Sequence, residues 1–137
     1  MTEKDLYRKI CSLTNKTEVL LQRIESHLTG AGIPDVLFSG YGHHGFFELK
    51  ILKKITKIVR IKSLTQFQVL WLNQHDLLGQ RCYLLIYIYD QHELVVYAGS
   101  SANLADLIKG MAVDLFYSKS LFHNTLTIDF LRRIYVR

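Results

Sequence analysis

Asp35, Glu48 and Lys50 are the residues of this chain whose types and spacing could do chemistry. Asp35 opens one short apolar run, Val36 to Ser39, and Glu48 and Lys50 lie within the next, Phe46 to Leu52. Side chains two apart share a face of a strand, so Glu48 and Lys50 project together. Glycines at 40, 42 and 45 read as a turn that folds the two runs into an antiparallel pair and can bring Asp35 beside them. Two carboxylates and one ammonium then converge. Such a set suits hydrolysis of a phosphodiester, which is slow because water is a neutral nucleophile and the phosphate repels hydroxide. Mg²⁺ takes hard oxygen ligands, commonly one or two carboxylates completed by water and substrate phosphate, and Asp35 with Glu48 meets that need. A bound ion acidifies a water and stabilises charge on the phosphate oxygens. Lys50 would orient the attacking water or stabilise the charge that develops. The main-chain carbonyl of Leu49, between them in the sheet plane, is a further candidate metal ligand.

The elements that must position these residues follow from periodicity. Leu20, Leu21, Ile24 and Leu28 recur at helical spacing, which predicts a helix over Lys16 to Thr29 with Asn15 or Thr14 as its N-cap. Glu18 and Glu25, seven apart, would lie on one flank of its buried stripe. A second helix is expected from about Leu64 to Gln74, with Leu64, Phe67, Leu70 and Trp71 on its apolar side and Gln68 beside that side. Phe67 and Trp71 read as core residues rather than base-stacking platforms. Tyr83 to Tyr89 and Leu94 to Tyr97 are two strands joined through Asp90 to Glu93, a second hairpin. Ala102 to Met111 reads as a short helix, and the remainder to Arg137 as mixed helical. The order of helix, strands, helix, strands gives an α/β sandwich around a mixed sheet.

Gly32-Ile-Pro-Asp35, the glycine turn and Phe46-Phe-Glu48-Leu-Lys50 together resemble the PD-(D/E)xK nucleases. Leu64-Thr65-x-x-Gln68-x-x-Trp71 is similar to the downstream motif of the VRR-NUC and Holliday-junction-resolvase-like branch. Gly79-x-Arg-x-Tyr-Leu-Leu, Tyr97-Ala-Gly99 and Ala102-x-Leu extend the resemblance to small bacteriophage-encoded members, over roughly residues 18 to 110. The resemblance implies a restriction-endonuclease-like α/β core, a mixed sheet flanked by helices in the order αβββαβ. It implies a Mg²⁺-dependent DNA endonuclease, with Mn²⁺ as a substitute, acting on junction or branched DNA or as a homing or nicking enzyme. Asp35 and Glu48 would bind metal, Lys50 would assist the water and Gln68 would position the site. A glutamate from the first helix often completes such a site, a role that falls here to Glu18, with Glu25 as its competitor. A resolvase needs two sites, hence a homodimer. The alternative is a nuclease fold retained as a non-cleaving DNA-binding or phage assembly protein.

Charge supports a nucleic-acid partner. Seventeen Lys and Arg against twelve Asp and Glu give +5 in 137 residues. Lys50, Lys53, Lys54, Lys57, Arg60 and Lys62 fall within thirteen residues that hold no acid. That segment, a strand extension or a mobile loop, reads as a backbone clamp for DNA whose affinity falls with salt. His43 and His44, adjacent in the glycine turn, have poor chelating geometry and read as substrate contacts. Cys11 and Cys82 are far apart and without metal-ligand spacing, which fits a reducing cytoplasm, that of a host cell for a phage protein. Nothing approaches the roughly 20 apolar residues of a membrane span, and no secretory leader is evident. A single domain over 1–137 is expected, with 49% apolar residues to build its core.

Overall fold

The computed structural model describes residues 1–24 and 32–137. Its elements are α1 (Glu3–Ser12), β1 (Val19–Arg23), β2 (Val36–Gly40), β3 (His43–Leu52), β4 (Ile58–Val59), α2 (Gln66–Leu77), β5 (Arg81–Ile88), β6 (Glu93–Ala98), α3 (Leu104–Lys109), β7 (Met111–Ala112), α4 (Val113–Lys119), β8 (Phe122–Thr125) and α5 (Ile128–Val136). Six strands form one mixed sheet in the order β1-β2-β3-β5-β6-β8. β3 and β5 run parallel, and every other neighbouring pair is antiparallel. A parallel pair needs a crossover, and here it is the segment that contains β4 and α2.

The central strands alternate between two cores. Phe47, Leu49, Tyr83, Leu85 and Tyr87 face one side, where they pack with Leu6 and Ile10 of α1 and with Phe130, Leu131, Ile134 and Tyr135 of α5. Leu84, Ile86, Val95 and Tyr97 face the other, against Val69 and Leu72 of α2, Leu104 and Leu107 of α3 and Phe116 of α4. Glu48 and Lys50 occupy β3 positions that alternate with Phe47 and Leu49, so they belong to this second face.

The β2–β3 hairpin expected from the glycines is present, closed by Tyr41 and Gly42, both at positive φ (53° and 78°). A two-residue turn with positive φ at both positions matches the twist of its strands, and the second position is the one glycine fills. The β5–β6 hairpin and the short α3 also fall where they were expected.

Three expectations change. The predicted helix over Lys16 to Thr29 is not formed in its described part, where Val19–Arg23 pairs with β2 as an edge strand. Its leucines meet helical spacing, but Val19 is buried while Leu20 is 68% exposed, the alternation of a strand. The first helix lies earlier, fixed by a capping box in which Thr2 Oγ1 accepts the Asp5 N–H and Asp5 Oδ2 accepts the Thr2 N–H. The helix near residue 70 starts at Thr65, whose hydroxyl accepts the Gln68 N–H. It buries Val69 and Leu72 rather than Phe67 and Leu70, which are 67% and 53% exposed. The basic segment is neither an extension of β3 nor a loop throughout. β4 pairs with β7, and the Ile61 N–H donates to Leu107 O at 2.8 Å.

Candidate active site

β2 ends opposite Phe47, and β3 runs on alone along that edge while β5 accompanies it to Leu52. The site forms where β2 stops. Asp35, one residue before β2, lies level with Glu48, and its Oδ2 accepts the Leu49 N–H at 2.9 Å. A side chain thus supplies the acceptor that a continuing strand would have offered. In a strand the N–H and C=O of one residue point to the same side, so the Leu49 carbonyl also faces the Asp35 edge.

The approach to Asp35 is set by Gly32, at φ +86°, where a Cβ would stand 2.6 Å from the Phe67 carbonyl oxygen. Only glycine lets this loop rest on the first turn of α2. The same contact holds Asp35 in a fixed relation to Gln68.

Glu48 and Lys50 are 1% and 3% exposed, the charged residues most deeply buried among those described. Lys50 Nζ lies 3.5 Å from Glu48 Oε2 and donates to Ser63 O at 2.8 Å. Gln68 Nε2 donates to Glu48 Oε2 at 3.3 Å, while Gln68 Oε1 accepts the Thr65 N–H at 3.0 Å. One amide therefore caps α2 and reaches into the site. Glu48 Oε1 is buried without a hydrogen-bond partner among the described residues. Burial, then the negative charge of Asp35, push the Glu48 carboxyl up to about 9 against the pull of Lys50. At neutral pH Glu48 holds a proton in the shared field of the two acids.

Sequence reasoning missed one carboxylate. Glu3, in the first turn of α1, brings Oε1 to 3.8 Å from Lys50 Nζ. Burial and Asp35 raise its pKa, and Lys50 opposes them. The Thr2-x-x-Asp5 capping box ahead of Leu6 and Ile10 is the signal that could have found this helix. Glu18, expected to complete the site, lies elsewhere. It precedes β1, accepts a hydrogen bond from Tyr41, and pairs with Arg132 Nη2 at 3.3 Å. A strand in place of the expected helix carries it to the hairpin end of the sheet. Glu25 lies outside the described residues.

Lys53, Lys54, Lys57, Arg60 and Lys62 are all exposed. Val59 and Ile61, set among them, are buried in the core on the Glu48 and Lys50 side of the sheet. The basic segment therefore leads straight into Ser63, whose carbonyl holds Lys50. His43 and His44 stand at the other end of β3, and His44 Nδ1 is 3.0 Å from Ser39 Oγ. Four to five residues of strand, roughly 15 Å, separate them from Glu48.

Among the described residues no group of three or more His, Cys, Asp and Glu side chains is arranged to hold a metal ion. The donor set is smaller and all oxygen: Asp35, Glu48 with its unpartnered Oε1, and the Leu49 carbonyl. That set fits Mg²⁺, which needs only one or two carboxylates. A proton retained between two acids is also what a divalent cation displaces.

No protein-family model matches the chain, and no curated protein matches it. Among solved structures it is similar to the Holliday junction resolvase Hjc of Archaeoglobus fulgidus, with a TM-score of 0.61 over 96% of this chain and 97% of that one. Sequence identity is 12%, so the likeness is one of fold. The mixed six-stranded sheet with helices on both faces is thus the restriction-endonuclease-like fold of that resolvase.

Proposed function

We propose that this chain is a Mg²⁺-dependent endodeoxyribonuclease of the PD-(D/E)xK type, acting on junction or branched DNA as a homodimer. The observation that carries the reading is the buried, unpartnered Glu48 Oε1 beside Asp35 and Lys50 at the open edge of β3. A buried acid without a partner is costly unless a ligand uses it. Structural likeness to a Holliday junction resolvase supports the branched substrate.

In this reading Asp35 and Glu48 hold the cation, and the Leu49 carbonyl is placed to join them. A Mg²⁺ ion held there supplies positive charge to the phosphate oxygens and acidifies a water. The Lys50 ammonium donates to Ser63 O, lies 3.5 Å from Glu48 and 3.8 Å from Glu3, and is placed to orient the attacking water and to meet negative charge that grows on it. Gln68 keeps Glu48 in its rotamer through a hydrogen bond that does not depend on charge. Lys53, Lys54, Lys57, Arg60 and Lys62 bind successive phosphates without reading bases.

The test is incubation of the protein with linear, nicked, flapped and four-way DNA in Mg²⁺, Mn²⁺ or EDTA, beside Asp35→Ala and Lys50→Ala. Metal-dependent cutting of branched DNA by the wild type alone is the expected result. Binding without cutting in every metal would leave the non-cleaving reading, and cutting by Asp35→Ala would overturn the site.

A further inference from the structure

Strand β4 carries an isoleucine that the fold leaves in the open. Ile58 is 59% exposed, while Val59 and Ile61 are 2% and 1% exposed. The alternation of burial from 58 to 62 puts Ile58, Arg60 and Lys62 on one outward face. Across the β4–β7 ribbon its neighbours are small. Ala112 is its register partner, and a Cβ at Gly110 would stand 3.1 Å from Ile58 Cγ2. The main chain around it is pinned. The Val113 N–H donates to Lys57 O at 2.9 Å, Thr56 Oγ1 donates to Ile58 O at 2.7 Å, and Arg60 Nε donates to Ile108 O at 3.2 Å. A β-branched side chain is stiff at χ1, so this ribbon presents one apolar shape in a fixed place.

We infer that Ile58 is a wedge that enters the base stack of DNA at a branch point and holds it open. The inference rests on the nuclease reading for its ligand, and charge supports that occupant. Lys53, Lys54, Lys57, Arg60 and Lys62 flank Ile58 along the chain, Lys109 ends the helix that leads into β7, and all six are exposed. Residues 53–62 hold no acid, and across the ribbon the first one after β7 is Asp114. An apolar tip among cations suits a ligand with an anionic backbone and an apolar interior. A lipid surface would call for a wider apolar face. One isoleucine fits the gap between two base steps, where aliphatic side chains of proteins that kink DNA are inserted.

Such insertion discriminates between DNA shapes. Opening a continuous stack has a cost that is least where pairing or stacking is already interrupted, so the wedge favours a branch over plain duplex. It also fixes a distance. Five residues lead from Ile58 to Ser63, whose carbonyl holds Lys50. That is roughly 18 Å of extended chain, or about five nucleotides at 3.4 Å each. Ile58 therefore ties the position of the branch to the bond that lies beside Glu48.

The experiment reads base stacking in EDTA, where nothing is cut, so its failure and that of the nuclease reading are told apart. The full chain is added at saturation to four-way DNA with 2-aminopurine at the branch, and to linear duplex with the same base at its centre. Fluorescence of the four-way DNA should rise severalfold with the wild type and with Ile58→Leu. With Ile58→Thr, which keeps the β-branch and loses the apolar end, it should stay near that of free DNA. Ile58→Thr should bind four-way DNA about tenfold more weakly and linear duplex within about twofold of the wild type. Lys57→Ala should weaken both alike. No rise with the wild type, an undiminished rise with Ile58→Thr, or an equal loss of affinity by Ile58→Thr on both DNAs would each overturn the proposal.

Discussion

The Asp35 carboxylate accepts the main-chain N–H of Leu49 at 2.9 Å, so one side chain both extends a strand edge and stands beside the buried Glu48. These two duties can be separated. Asp35→Asn keeps an acceptor for Leu49 and should unfold in urea within about 1 kcal/mol of the wild type. It loses the charge and should lose cleavage by about 10²-fold or more. Asp35→Ala also leaves the Leu49 N–H without its partner, and should cost about 1–3 kcal/mol in addition to activity.

Glu48 makes metal-free stability fall with pH. Its carboxyl is raised from an ordinary value near 4.5 to about 9 in the fold, so between those values the native state holds a proton that the unfolded chain has released. The stability due to this group is whole below about 4.5, declines as pH rises, and levels off above about 9. At about 1.4 kcal/mol per unit, the loss by pH 7 is on the order of 3 kcal/mol. Glu48→Gln, neutral throughout, should flatten the profile measured by urea unfolding in EDTA and be the more stable protein at pH 8. Added Mg²⁺ should stabilise the wild type and leave the glutamine variant unchanged.

Glu3 and Glu18 make opposite predictions. Glu3 borders Lys50, and Glu3→Gln should lower the cleavage rate about tenfold with little change in DNA affinity. Glu18 serves Tyr41 and Arg132, and Glu18→Gln should leave the rate within about twofold. Single-turnover rates on one branched substrate compare them directly.

Gly32→Ala introduces a Cβ at positive φ against the Phe67 carbonyl. The substitution should cost about 2–3 kcal/mol in thermal or urea unfolding. At temperatures where the variant is folded, cleavage should fall further than stability alone explains, because the loop that carries Asp35 moves off α2.

The basic segment should act through ionic strength. Each of Lys53→Ala, Lys57→Ala and Lys62→Ala should weaken DNA binding on all sequences and lower the slope of log affinity against log salt by about 1. Fluorescence anisotropy across a salt series measures it.

The sequence made the centre of the sheet legible because its signals are local. Two apolar runs, a glycine turn and an acid-x-lysine spacing place Asp35, Glu48 and Lys50 with one hairpin, and Thr65-x-x-Gln68 marks a helix start by its own capping chemistry. Long-range facts were less legible. Leu20 and Leu21 satisfy helical spacing and strand alternation alike, and pairing with β2 decides between them. Helical spacing over Lys16 to Thr29 points to Glu18 as the third acid, whereas Glu3 reaches Lys50 because α1 packs beneath β3. The leucines and aromatics of α2 named its apolar residues but not which face enters the core, since both faces are apolar.

The parallel pairing of β3 with β5 has a consequence for the order in which the protein is made. Residues 35 to 52 carry Asp35, Glu48 and Lys50, yet the ladder that holds Glu48 and Lys50 closes against Leu84 and Ile86, more than thirty residues later. Contacts of such sequence separation form late because loop closure must come first. A nascent or truncated chain ending before β5 therefore has the three residues without the desolvated pocket. In the nuclease reading, competence to cut arrives in one step with the finished sheet, so a chain clipped within the crossover should fail all at once rather than by degrees.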